Sequence, residues 1–100
     1  MKSQAIVLSK EDNVATAIVE VKAGTRVSVG VGKEEKEVME VVTKEDVAFG
    51  FKFALRKIAK GEPVMKYGEI IGIASVDIEP GVMVHVHNTE GARGRGDLPR

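Results

Sequence analysis

The chain has 100 residues and a mass of 10.8 kDa, with 43% hydrophobic and 30% charged residues, which suits one small domain with a single core. Its 15 basic residues equal its 15 acidic residues, so no overall charge attracts nucleic acid or an anionic membrane. The absence of cysteine excludes disulfides and thiolate metal sites. No apolar run approaches the roughly 20 residues that cross a bilayer, and no signal-peptide pattern opens the chain, so we predict a cytoplasmic protein.

The first half of the chain consists of short β-branched segments separated by glycine or charged residues. Val27, Val29 and Val31 alternate with Ser28 and Gly30, a period of two that gives a strand one apolar face. The charged segment that follows, residues 32–37, is too polar to bury and predicts the tip of a hairpin. The predicted strands of this half are residues 5–8, 15–21, 27–31 and 38–42.

The middle of the chain shows a different spacing. Apolar residues three and four positions apart predict one short amphipathic helix that contains Phe49, Phe53, Ala54, Leu55, Ile58 and Ala59. Lys57 and Lys60 in its last turn, and Gly61 after it, are typical of a helix C-terminus. The sequence of residues 12–17 fits either a capped helical turn or a strand, and both predictions are kept.

The second half predicts three more strands, within residues 63–68, 70–74 and 82–87. Strands this short, with a glycine at almost every bend, indicate a mostly β domain with sharply curved strands, and no internal repeat is evident. We assign this domain to residues 1–89. Residues 90–100 have almost nothing to bury and predict a flexible or partner-docking tail.

Two histidines stand one residue apart, His85 and His87. On a strand, both imidazoles project from one face, with Cα atoms about 7 Å apart, while Val84 and Val86 enter the core. Such a pair can share a divalent metal or bind a carboxylate, although an exposed polar strand face explains the spacing equally well. Asn88 follows, where its amide can end the strand or contact a ligand hydroxyl; sequence alone favours the turn role.

Three other polar residues lie in apolar segments bounded by glycine, where a solvated side chain is less expected: Lys52, Lys66 and Tyr67. A lysine ammonium suits a carboxylate ligand. The simpler explanation is a lysine that extends to solvent and a phenol with one hydrogen bond. The sequence contains no Ser/His/Asp set, no phosphate-binding glycine loop and no carboxylate pair, so these residues alone define no reaction.

Seven segments occur in a fixed order over nearly the whole chain: 12–17 (DNVATA), 50–55 (GFKFAL), 58–62 (IAKGE), 64–69 (VMKYGE), 71–74 (IGIA), 77–81 (DIEPG) and 84–88 (VHVHN). Together they resemble the amino-terminal SAF domain of altronate dehydratases. Their order and spacing make the resemblance specific, whereas each segment alone would not. The resemblance implies a β-clip fold with one short helix.

The resemblance also implies a reaction and a partner. In this family the SAF domain is fused to a larger catalytic domain or encoded as a small subunit, and members dehydrate sugar acids such as altronate and galactarate with a divalent metal, often iron or manganese. It therefore implies a hydro-lyase small subunit that is inactive without its large subunit, which shares the metal. The implied site residues are His85 and His87 for the metal, and Lys52, Lys66, Tyr67 and Asn88 for the sugar acid.

Phe51 departs from the family pattern, which has histidine there in a Gly-His-Lys motif. This departure favours a different hydroxy acid or the related enzymes that eliminate sulfite from sulfolactate. Two further classes stay open. One is a non-catalytic module that binds a hydroxy acid or carbohydrate through the His85/His87 face. The other is a structural adaptor whose exposed strand edges assemble into a homo-oligomer.

Overall fold

The computed structural model describes residues 3–34 and 37–91, which form short strands in two sheets, so the mostly β prediction is confirmed. The larger sheet has the order β4-β3-β1-β2-β5-β8, and the smaller has the order β6-β7-β9. Neighbouring strands are antiparallel except β1 and β3. The strands are β1 (Ala5–Val7), β2 (Val14–Ala17), β3 (Arg26–Val31), β4 (Glu37–Val42), β5 (Lys52–Ala54), β6 (Pro63–Lys66), β7 (Glu69–Ala74), β8 (Met83–Val84) and β9 (Thr89–Glu90).

Two apolar clusters form the core. Val27 and Val29 are fully buried in the first cluster, as their alternation predicted, and β3 pairs with β4 in the predicted hairpin. Phe53 is the largest side chain of this cluster. Ile58 and Ile78 are the largest in the second cluster, which lies between the two sheets. Burial of these branched side chains away from water is the main stabilising term of the fold.

One turn unit occurs four times, at residues 17–24, 43–50, 54–61 and 74–81. Each unit ends in a glycine with φ between 83° and 91°, a conformation that glycine adopts without strain. Unit 17–24 pairs with unit 43–50, and unit 54–61 pairs with unit 74–81. In each pair, the carbonyl of the first residue of one unit accepts a 2.8 Å hydrogen bond from the backbone N–H of the final glycine of the other. Within the pairs, isolated bridges join Val21 to Val47 and Ile58 to Ile78. The repeat was not evident in the sequence.

The predicted helix over residues 49–60 is wrong. Residues 52–54 form β5, which pairs with β2 on one side and β8 on the other, and the residues around it belong to two turn units. Ile58 is buried at the bridge of its unit, whereas Phe49 is 70% exposed. The spacing of three and four arises because the turn unit places its buried residues four apart. Residues 12–17, left open by the sequence, end in strand β2.

Asp12 and Asn13 are buried and connect the two sheets. The Asn13 side chain donates a 2.9 Å hydrogen bond to the Pro63 carbonyl and accepts one of 2.7 Å from the Met65 amide. Asp12 Oδ1 accepts a 2.8 Å hydrogen bond from the Gly68 amide. Because buried polar groups require partners, these contacts fix the β6–β7 hairpin beside the start of β2. The DN pair of the sequence motif therefore has a structural role.

Some predictions fall outside the described residues. The hairpin tip includes residues 35–36, and the predicted tail includes residues 92–100, none of which is described. Glu90, assigned to the tail, lies in β9. Residues 3–34 and 37–91 contain no helix, and hence none that could cross a membrane.

Candidate functional site

The two histidines lie where the chain passes from one sheet to the other. β8 belongs to the six-stranded sheet and β9 to the three-stranded sheet, and residues 85–88 form the turn between them. The backbone N–H of Asn88 donates a 3.0 Å hydrogen bond to the His85 carbonyl, which closes this turn. The candidate site is therefore at the junction of the sheets.

The strand predicted for the histidines is wrong, because β8 ends at Val84. Val84 enters the core as predicted, but Val86 is 84% exposed at the tip of the turn. The change of sheet within residues 85–88 requires a turn here. This turn, rather than strand alternation, brings His85 and His87 together, with ring centroids 4.9 Å apart and planes at 75°.

The two imidazoles face each other through their Nδ1 atoms. His85 Nδ1 and His87 Nδ1 are 3.1 Å apart, a hydrogen-bond distance that requires one proton and one lone pair between them. The backbone N–H of His87 also points at His85 Nδ1, at 3.4 Å. His85 Nδ1 is therefore assigned as the acceptor and His87 Nδ1 as the donor. In this tautomer the two rings form one hydrogen-bonded pair.

A groove of about 350 Å³ lies beside His85. Lys52 is directly opposite Val84 in the β5–β8 pairing, which places its side chain on the groove. A smaller cavity of about 60 Å³ adjoins the groove and shares Lys52, Val84 and Thr89 with it. Gly72 lines this cavity, and a Cβ there would lie 2.8 Å from the Glu90 carbonyl oxygen, so the close approach of β9 requires glycine. The groove is lined by Phe51, Lys52, Met83, Val84, His85, Val86 and Thr89.

Lys52 is the charged residue of this groove. Burial, and secondarily the positive charge of Lys66, lower the pKa of the Lys52 ammonium below its usual value. A carboxylate in the groove would offset both effects, because it supplies the opposite charge that the site lacks. The groove is thus suited to an anionic ligand.

The other predicted residues do not line this groove. Lys66 Nζ is 5.0 Å from the ring centroid of Tyr67, a cation–π contact at the β6–β7 turn. Tyr67 is 43% exposed and has a φ of 55°. Asn88 is buried, and each polar atom of its amide already has a backbone partner. The structure thus brings Lys52 and His85 to one groove and places His87 against His85.

The imidazole pair fits a metal ion in part. Two nitrogens 3.1 Å apart match neighbouring ligands around one ion with metal–nitrogen distances of about 2.1 Å. Within residues 3–34 and 37–91, no group of three or more histidine, aspartate or glutamate side chains could hold a metal. The pair therefore accounts for two ligands of such a site.

Sequence reasoning missed two threonines of this region. Thr89 lines the groove, and its hydroxyl donates a 2.7 Å hydrogen bond to the His85 carbonyl. Thr16 lies opposite Lys52 in the β2–β5 pairing, and its buried Oγ1 has no hydrogen-bond partner among the described residues. Thr89 directly follows the VHVHN segment, which is the only sequence signal for it. Thr16 had no sequence signal, because its position opposite Lys52 depends on strand register.

Comparison with known proteins identifies related sequences. Residues 3–92 match the altronate/galactarate dehydratase SAF domain. Altronate dehydratase of Escherichia coli (strain K12) is 50% identical over 78 residues, which are 78% of this chain and 14% of that protein. The Bacillus subtilis (strain 168) altronate dehydratase is 38% identical over 86 residues, again only 16% of its length. The chain is also 33% identical over 89 residues to the (2R)-sulfolactate sulfo-lyase subunit alpha of Chromohalobacter salexigens, and this match covers 94% of that protein.

Proposed function

The chain belongs to the SAF domain family of altronate and galactarate dehydratases, and from this premise we propose that it is the small subunit of a lyase that acts on a hydroxy acid. A separate, larger chain supplies the rest of the active site. The chain spans 14–16% of the two altronate dehydratases but 94% of a protein named as an alpha subunit, which favours assembly with a second chain.

One structural observation carries this proposal: the groove holds part of a site. Lys52 and His85 line it and His87 lies against His85, but the described residues offer no group of three or more histidine, aspartate or glutamate side chains that could hold a metal. The groove opens to solvent, and its edge includes the exposed side chains of Phe51 and Val86. A larger chain placed over this edge would complete the ligand set and cover the apolar side chains.

The reaction class sets what the complete site must do. Elimination from a hydroxy acid removes the proton α to the carboxylate and expels a substituent from the β carbon. A base must take the proton, positive charge must stabilise the resulting enediolate, and an acid must assist the leaving group. We assign the base to the larger chain, because His85 and His87 are assigned to the metal and Lys52 to the carboxylate of the acid.

The residues of this chain bind and orient the acid. Lys52 pairs with the carboxylate, which relieves the unfavourable burial of its ammonium. We assign Lys66, whose positive charge acts on Lys52, and Tyr67 beside it to contacts with the far end of a longer acid. His85 and His87 would hold a divalent ion, iron or manganese, through Nδ1 when each neutral ring carries its proton on Nε2. Such an ion supplies a Lewis acid that polarises the carboxylate.

We propose a sugar acid of the altronate or galactarate type as the first substrate class, on the 50% identity to the Escherichia coli enzyme. A second class is (2R)-sulfolactate, because the match to the sulfo-lyase subunit alpha covers 94% of that protein.

Reconstitution tests the proposal. This chain is mixed with the candidate larger chain from the same genome, and keto-acid formation from altronate and galactarate is measured beside sulfite release from (2R)-sulfolactate. We expect turnover by the mixture and none by either chain alone. Detectable turnover by this chain alone would contradict the subunit assignment.

A chimera separates the two substrate classes. Residues 3–92 replace the matching segment of Escherichia coli altronate dehydratase, with and without Phe51→His. If Phe51 sets the substrate class, the parent chimera loses altronate dehydration and the Phe51→His chimera regains it. Equal activity of both chimeras would show that Phe51 does not select the acid.

A further inference from the structure

Asn88 connects the histidine turn to both sheets. Its side-chain Nδ2 donates a 2.9 Å hydrogen bond to the Met83 carbonyl in β8. Its backbone carbonyl accepts a 2.9 Å hydrogen bond from the Ser75 amide, at the end of β7 in the other sheet. A single buried residue therefore fixes the position of the turn relative to the strands on either side.

The same residue holds the backbone of His85 at both ends. The side-chain Oδ1 of Asn88 accepts a 2.9 Å hydrogen bond from the backbone N–H of His85. The backbone N–H of Asn88 donates a 3.0 Å hydrogen bond to the His85 carbonyl. The Thr89 hydroxyl donates a further 2.7 Å hydrogen bond to that carbonyl. With its peptide groups fixed, the His85 side chain leaves the backbone in one direction, towards His87.

We propose that Asn88 positions the two imidazoles and does not contact the substrate. The contact between His85 Nδ1 and His87 Nδ1 depends on the shape of the turn, because His87 is exposed and neither ring is enclosed by core side chains. Asn88 supplies both a donor and an acceptor to that turn. This explains a buried amide beside a groove that its side chain does not line. The consequence for metal binding rests on the proposed function.

Thr43 provides a matched control. It is also buried, and its hydroxyl donates a 3.0 Å hydrogen bond to the Lys22 carbonyl in a turn unit far along the chain from the histidines. Thr43→Val removes a buried side-chain hydrogen bond of the same kind and leaves every hydrogen bond of Asn88 and Thr89 to His85 in place. A loss of stability alone would therefore be shared by both variants, whereas a positioning effect would belong to Asn88 variants only.

The first measurement is nuclear magnetic resonance of the imidazole nitrogens in the full chain, for the parent, Asn88→Ala, Asn88→Asp and Thr43→Val. We expect His85 of the parent in the tautomer with Nδ1 unprotonated, with a ring-to-ring contact to His87. Asn88→Ala should lose this contact and mix tautomers, and Asn88→Asp, which keeps the acceptor, should lose it partly. Thr43→Val should match the parent. Retention of the contact in folded Asn88→Ala, or its absence from the parent, would overturn the proposal.

The second measurement is titration of the same four proteins with Co²⁺. We expect Asn88→Ala to weaken binding by about 10-fold or more, as for other residues that orient metal ligands, and Thr43→Val to change it less than twofold. Equal weakening by both would overturn the positioning role. Failure of the parent to bind Co²⁺ would count against the metal in the proposed function, and the imidazole spectra would still decide the role of Asn88.

Discussion

His85 Nδ1 lies 3.1 Å from His87 Nδ1 across a turn that joins the two sheets. When His87 Nδ1 donates to His85 Nδ1, the two rings form one hydrogen-bonded pair. A metal ion that binds both Nδ1 atoms requires the proton of the His87 ring on Nε2 instead, so metal binding selects the other tautomer of His87.

The pair should behave non-additively when mutated. His85→Ala and His87→Ala each remove one of two ligands, so either substitution should weaken Co²⁺ binding by the full chain at least about 10-fold, and the double variant should be little worse than either single one. Calorimetric titration measures this. If the losses of Co²⁺ binding free energy in the two single variants sum to the loss in the double variant, the two rings bind the metal separately.

Lys52 should lower the stability of the domain at neutral pH. Burial and the charge of Lys66 lower its pKa in the folded state below the usual value of 10.5, so the unfolded chain binds the proton more tightly. The resulting penalty is complete below the lowered pKa and disappears as the pH rises towards 10.5. Lys52→Met should therefore melt at a higher temperature than the parent at pH 7, and the difference should shrink as the pH rises.

Lys66→Met is the control for this effect. It removes the positive charge that contributes to the lowered pKa of Lys52 but leaves the burial of Lys52 in place. The pH dependence of the melting temperature should therefore become weaker without vanishing. If the difference in melting temperature between the parent and Lys52→Met stays constant from pH 7 towards pH 10.5, the account of Lys52 is contradicted.

Tyr67 should carry backbone strain. Tyr67 and Gly68 form the two-residue loop between Lys66 and Glu69, and both have positive φ, 55° and 78°, which defines the geometry of a type I′ turn. Asparagine is favoured over tyrosine at this position. Tyr67→Asn should stabilise the domain by about 1 kcal/mol, measured by urea unfolding.

Tyr67→Phe separates strain from binding. It keeps the same backbone conformation without the hydroxyl, so its stability should equal that of the parent. In the reconstituted lyase, both Tyr67 variants should raise KM if the phenol contacts the acid. A destabilised Tyr67→Asn variant would show that the ring's contact with Lys66 outweighs the strain.

Gly81 should be far less replaceable than Gly50. Both have positive φ, 85° and 87°, but a Cβ at Gly81 would collide with the Val42 carbonyl oxygen, whereas one at Gly50 meets open space. Gly50→Ala should cost about 1–2 kcal/mol, the penalty of the left-handed conformation alone. Gly81→Ala should cost clearly more, since backbone must move. Equal unfolding free energies would contradict this packing.

The sequence predicted strands well where one face alternates, and poorly where turns carry the structure. Val27 and Val29 are buried as their period of two required. In contrast, the spacing from Ala54 to Ile58 fits a helix and a turn unit equally, and only long-range bridges such as Ile58–Ile78 decide between them. Local propensity cannot report a partner 20 residues away.

The candidate site shows the same division. The spacing of His85 and His87 suggested a shared face, and the rings do meet, but through a turn that the alternation with Val84 and Val86 concealed. Placement of Lys52 on the groove depends on the β5–β8 register, which the sequence does not reveal. The β-clip assignment, and the roles of the site residues, stay predictions.

The most direct test of the account is the turnover of the reconstituted lyase with His85→Ala/His87→Ala in place of the parent chain. Each small subunit is mixed with the same larger chain, and assembly is verified by sedimentation. The account predicts that the double variant assembles normally but loses at least about 100-fold in kcat/KM, as expected when metal ligands are removed. Undiminished turnover by the assembled double variant would contradict it.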